Sequence, residues 1–115
     1  MSETTIYVID EFVTRPGEGE ALLERYLDGY GNGAAERGMT LERVLVSPPL
    51  WLRNQSNVVT VTWTVPSVGA WWQMSFMGRS DPELAAFWEE IGELVETRTR
   101  RFATTVKDME QFSDV

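Results

Sequence analysis

No cysteine and no histidine occur in the 115 residues, and Lys107 is the sole lysine. Without cysteine there is no disulfide, no thiolate nucleophile and no thiol metal site. Without histidine the chain lacks the commonest general base near neutral pH, the commonest zinc ligand and the usual haem axial ligand. Chemistry by this chain must run on Asp, Glu, Tyr, Arg, Asn, Ser, Thr or a bound cofactor, and neither a metal nor a cofactor is expected. Basic charge is scarce as well: 10 Lys and Arg stand against 18 Asp and Glu, for a net charge of -8. That balance repels nucleic acid and anionic membrane surfaces. No apolar run has the length of a transmembrane helix. The start, "MSETTIYVIDEF", carries acidic residues where the basic region of a signal peptide would stand. The expectation is a cytoplasmic protein of one domain, residues 1–115, with a tail from about 110.

What is present reads as alternating strands and helices. "TTIYVIDEFVT" (4–14) is rich in β-branched and aromatic residues and predicts a strand, broken by the Pro16-Gly17 turn. From Glu18 onward Leu22, Leu23, Tyr26, Leu27 and Tyr30 recur at helical spacing, while Gly29, Gly31 and Gly33 weaken the second half of that helix. Residues 39–49 and 57–65 predict two further strands, joined by an irregular "LWLRNQSN". Pro66 opens a short helix to about Met77, ended by Gly78. Ser80 or Asp81 then caps a helix that begins at Pro82, and Ser80 with Glu83 has capping-box spacing. Its stripe of Leu84, Phe87, Trp88, Ile91, Leu94 and Val95 extends the prediction to about Arg101, with "FATTVKDM" as a last strand. Arg98, Arg100 and Arg101 would then complement the helix dipole. The order β-α-β-β-α-β predicts an α+β, ferredoxin-like sandwich: a four-stranded antiparallel sheet with helices on one face.

Strand parity adds a partner. One face of the third strand carries Val59, Val61, Trp63 and Val65, the other Val58, Thr60, Thr62 and Thr64; the first strand sets Ile6, Val8, Asp10 and Phe12 against Tyr7, Ile9, Glu11 and Val13. Neither face is polar, and helices cover only one, so a homodimer closing over the second face is expected. Glu11 would lie at that interface.

With "RPGEGEALLERY" after the first strand, an aromatic near the end of a strand before "PSVGAWW", and "SDPELAAFWEEIGELVETRTRRF", the chain resembles the dimeric α/β-barrel superfamily. Its likeness is to the antibiotic-biosynthesis-monooxygenase and NIPSNAP types. The resemblance implies two sheets packed face to face across a dimer, with a pocket on the helix side of each sheet. It also implies the activities of such proteins: cofactor-free monooxygenation of polycyclic aromatics, haem degradation, isomerisation or cyclisation. Three pocket positions carry over. A polar residue seven before the turn glycine is Asp10, counted from Gly17; the aromatic of the third strand is Trp63; and the place of a histidine nine or ten residues on is held by Trp72 or Gln73. With no histidine there, haem ligation loses its ligand.

Among the candidate site residues, Asp10 interrupts an apolar strand, where a carboxylate is costly unless paired. It reads as a general acid or base, or as one half of an ion pair with Arg43 or Arg53 across the sheet. Those two arginines are also candidates to polarise a substrate oxygen. Trp71 and Trp72 point about 100° apart on a helix, so both cannot bury against one patch. Trp63, Trp72, Gln73, Tyr26, Tyr30 and Trp88 are the candidate walls of a site for a hydrophobic, aromatic or polycyclic molecule, with core packing as the competing role. "GYGNG" neither follows a strand nor opens a helix, which argues against a phosphate loop. The functional expectation is a small dimeric enzyme performing cofactor-independent oxygenation or proton-transfer isomerisation or cyclisation; the alternative is a non-catalytic binding or stress-associated dimer.

Overall fold

The computed structural model describes residues 5–79 and 81–110. Strand β1 (Ile6–Thr14) leads into α1 (Gly19–Tyr26), a π-helical turn (Leu27–Gly31) and the short α2 (Asn32–Ala34). Strands β2 (Thr40–Ser47) and β3 (Val58–Val65), helices α3 (Val68–Arg79) and α4 (Pro82–Ile91), and β4 (Val95–Ala103) follow. The strands form one sheet in the order β2-β3-β1-β4, every neighbouring pair antiparallel. This is the ferredoxin-like α+β arrangement that the element order predicted. No helix among the described residues is long and apolar enough to cross a membrane.

The parity of β1 and β3 sets the layers. Ile6, Val8, Asp10 and Phe12 pair in register with Val65, Trp63, Val61 and Val59, and all eight are buried. Against this face lie Leu22, Tyr26 and Tyr30 of the first helical segment, with Met74 and Ile91. The π-helical turn inserts one residue into the helical repeat. Tyr26 and Tyr30 stack at 5.4 Å with 14° between their planes, both fully inside the core.

Three sequence expectations change. The last helix stops at Ile91, followed by a 3-10 turn at Gly92–Leu94, and β4 begins at Val95. The helical stripe continues to Val95 only by coincidence of spacing. "VETRTRRFA" also alternates with period two, and the open edge of β1 takes it as a nine-residue strand. Arg98, Arg100 and Arg101 therefore lie on a strand and complement no helix dipole. Of "FATTVKDM" only Phe102 and Ala103 belong to β4, while Val106–Asp108 form a 3-10 turn. The cap of α4 is Asp81, whose Oδ1 accepts from the Glu83 and Leu84 amides at 2.9 and 3.4 Å; Ser80 lies outside the described residues.

Gly29 has a packing reason that its helix-weakening composition did not reveal. A Cβ there would stand 2.4 Å from the Phe87 ring of α4. Gly29→Ala is therefore expected to destabilise by about 1–3 kcal/mol through overpacking, against its helix-propensity gain. Gly92→Ala, with nothing within 4 Å of the new methyl, should instead stabilise by about 0.4–1 kcal/mol. Urea unfolding of both variants beside the wild type checks the contrast in sign.

Candidate functional site

Asp10 sits at the centre of β1, 1% exposed, opposite Arg100 of β4 in register. Arg100 grips it through one edge of the guanidinium: Nε donates to Oδ1 at 2.6 Å and Nη2 to Oδ2 at 2.8 Å. The Tyr26 hydroxyl of α1 donates to Oδ2 at 2.5 Å, and the indole Nε1 of Trp63 donates to the Tyr26 oxygen at 2.7 Å. Both carboxylate oxygens are thus engaged, and a buried charge is tolerated because it is paired and hydrogen-bonded. The ion partner expected from sequence is corrected here. Arg43 stands opposite Thr62 on the face away from the helices, exposed and 3.5 Å from Glu42. Arg53 is exposed in the loop between β2 and β3.

The electrostatics follow from this geometry. Burial first, then the adjacent Asp10 charge, pushes the Tyr26 phenol far above its ordinary range. Burial works against the charge of Arg100, but the hydrogen bonds and charge of Asp10 outweigh it and hold the guanidinium protonated. Arg98, two residues away on the same face, is shifted down by burial and rests 3.9 Å over the Trp88 ring.

Above this network a cleft of about 520 Å³ opens between α3, α4 and β4. Its walls include Tyr30, Arg37, Trp71, Arg79, Trp88 and Arg100, and among the described residues no Asp or Glu lines it. Only the Arg100 edge of the buried network faces the cleft; Asp10, Tyr26 and Trp63 lie beneath it. A second, more apolar hollow of about 590 Å³ holds Trp72 and shares Trp71 and Phe102 with the first. These two rings meet edge to face at 5.2 Å and form the partition. Trp72 is 52% exposed, and Gln73 lies exposed on α3. The structure therefore brings together Asp10, Tyr26 and Trp63 below, with Tyr30 and Trp88 in the wall; Arg43, Arg53, Trp72 and Gln73 lie apart from that set. Arg37, Arg79 and Arg100 were missed. The readable signal for Arg100 was the period-two alternation of "ETRTRRF" facing Asp10, the charge on the apolar face of β1. The cleft offers guanidinium and indole N–H donors, and among the described residues no group of carboxylates gathers as a metal site.

Asp10→Asn leaves Arg100 without its countercharge and is expected to cost about 3–5 kcal/mol in urea unfolding. Tyr26 supplies a pH dependence. Unfolded, its phenol ionises near pH 10; folded, it stays protonated to a much higher pH. Above about pH 10 the unfolded state thus binds fewer protons, and stability falls by up to about 1.4 kcal/mol per pH unit from this group. Tyr26→Phe should lose that part of the slope, measured as the difference between the two proteins' urea stabilities from pH 8 to 11.

No protein-family model matches the sequence, and no curated protein matches it. Solved structures do. An uncharacterised NIPSNAP domain protein from Burkholderia xenovorans superposes with a TM-score of 0.66 at 17% identity, covering 88% of this chain and 94% of that one. A NIPSNAP family protein from Agrobacterium tumefaciens str. C58 gives 0.69 at 16% identity, over 92% and 90%. A protein named as a candidate antibiotic biosynthesis monooxygenase from Caulobacter crescentus CB15 gives 0.64 at 15%, over 90% and 92%. At these identities the likeness establishes the fold, and it is the fold that the sequence resemblance implied.

Proposed function

We propose that this is a single-domain, homodimeric protein whose helix-side cleft binds a hydrophobic aromatic small molecule. The observation that carries the reading is the cleft itself, of about 520 Å³ and walled by Trp71, Trp88 and Phe102. Its size lies in the range of small-molecule sites, and flat rings are the surface on which an aromatic ligand stacks. Asp10 has both oxygens occupied and is shielded from the cleft by Arg100, so its role is to position that arginine. This favours binding over proton transfer by Asp10.

One observation supports a second reading, cofactor-independent oxygenation or isomerisation. Arg100 sits at the cleft floor beside aromatic walls, where a fixed guanidinium stabilises the enolate or phenolate form of a substrate acidic enough to ionise by itself. That reading predicts oxygen uptake or isomer formation with polycyclic phenols or ketones, lost in Arg100→Lys, which keeps a countercharge for Asp10 but not the planar fork, while the ligand still binds. Binding without turnover across such a panel would leave the first reading alone.

The dimer is proposed through the sheet face away from the helices. Tyr7, Ile9, Val13 and Thr60 are half-buried there, and Leu45 is 55% exposed. A second copy would cover this apolar and Thr-rich surface, with the Glu11–Arg101 pair at its border. Sedimentation equilibrium should give a dimer at micromolar concentration and a monomer for Ile9→Arg; a monomeric wild type would refute the assembly. For the cleft, titration with N-phenyl-1-naphthylamine should show saturable fluorescence enhancement, weakened about tenfold or more by Trp71→Ala. Absence of binding would remove the cleft reading.

A further inference from the structure

We infer that the ligand of the cleft is an aromatic anion: a ring system bearing a carboxylate, sulfonate or ionised phenol that the arginines hold. The inference rests on the reading of the cleft as a ligand site and adds the charge and head group of what it takes.

Charge distribution is the first ground. The chain carries 18 acidic against 10 basic residues, yet three arginines line this cleft and, among the described residues, no carboxylate does. Arg100 is neutralised from below by Asp10. Among the described residues neither Arg37 nor Arg79 is in an ion pair. The cleft is thus a positive spot on a negative molecule, and local fields of this kind are felt most strongly inside a concave, low-dielectric wall.

Unpaired donors are the second ground, independent of the first. Arg37 donates through Nη2 to the Tyr30 carbonyl at 2.8 Å, and its guanidinium lies 4.4 Å over the Tyr30 ring. Its Nε is buried with no acceptor among the described residues, and so is the indole Nε1 of Trp71. Both side chains belong to the cleft wall. A buried N–H without an acceptor is costly, and most native donors are satisfied. Neither N–H is open to the cleft as the side chains stand, so a ligand oxygen supplies the missing acceptor once Arg37 or Trp71 turns toward it.

The arrangement also joins the two chemistries. Arg37 and Arg100 lie against the same Tyr30 ring, Arg100 at 5.1 Å from its centroid, and Arg100 is 5.7 Å from the Trp88 centroid. Arg100 spends Nε and Nη2 on Asp10 and also engages the Tyr30 side chain, so carboxylate and phenol together fix the plane of its guanidinium at the cleft floor. A flat ligand between Trp71 and Trp88 would present its oxygens to guanidinium groups already oriented by Tyr30 and Asp10. Such orientation is what makes an arginine selective for a planar oxyanion over a neutral polar group.

The test compares two fluorescent probes sharing one aromatic frame: 8-anilinonaphthalene-1-sulfonate and its uncharged counterpart N-phenyl-1-naphthylamine. Both are titrated into the full-length protein, wild type and variant. The expected result is at least about tenfold tighter binding of the sulfonate, despite the protein's net negative charge. Arg37→Met should weaken the sulfonate about tenfold and leave the neutral probe unchanged. Trp71→Phe, which keeps a ring and removes the N–H, should act in the same direction. If Arg37→Met does not fold, Arg79→Met on the exposed end of α3 provides the same comparison. Equal affinities for the two probes, or variants that shift both probes alike, would overturn the anion inference and leave the aromatic cleft standing. Failure of both probes to bind would overturn the cleft reading and the inference together.

Discussion

The ion pair between Asp10 and Arg100 is the constraint on which the rest of this structure turns. It links the central strand to the edge strand on the face that carries the core, and it does so with a buried carboxylate. Such a charge demands that its surroundings be fixed. Tyr26 must reach down from α1 to donate, Trp63 must come up from β3 to donate to Tyr26, and β4 must lie in one register so that Arg100 faces Asp10. Three strands and a helix are thereby pinned to one another at one point. Pairs of this kind add little net stability over an apolar core, but they penalise every arrangement that separates them.

Aromatic packing extends that point into a layer. Tyr26 and Tyr30 stack, Trp63 and Trp88 tilt against both, and Phe87 closes the end toward Gly29. Within this layer the Tyr26 hydroxyl donates to Asp10, the Trp63 indole to the Tyr26 oxygen, and the Tyr30 hydroxyl to the Met39 sulfur. Its ring faces supply the upper surface, and that surface becomes the cleft wall. The core and the cleft wall thus share one aromatic layer, joined at Tyr30 and Trp88.

Much of this was readable from local chemistry. β1 and β3 declared themselves by β-branched alternation, Asp81 with Pro82 marked a helix start, and Asp10 stood out as a charge in an apolar strand. Trp63, expected as a pocket aromatic from the resemblance, lies in the core beneath the cleft, where its indole donates to Tyr26. The edge strand was hidden because Leu94 and Val95 prolong a helical stripe; only the vacancy beside β1, a tertiary fact, decides that "VETRTRRFA" extends. With β4 unread, Arg100 could not be seen opposite Asp10, and the ion partner was sought in Arg43 and Arg53 on and after the second strand. The role of Gly29 was hidden for a similar reason, since its partner Phe87 is remote in sequence.

The bulge of the π-helical turn and the register of β4 leave the cleft with walls of different evolutionary freedom. Arg100 cannot be exchanged without orphaning Asp10, nor Tyr30 without opening the stack, so the floor is tied to the integrity of the fold. Trp71, Ser75 and Arg79 on α3 carry no such debt to the buried network. A lineage built on this scaffold can therefore reshape the cleft by rewriting one helix, while the arginine at the floor is inherited along with the sheet.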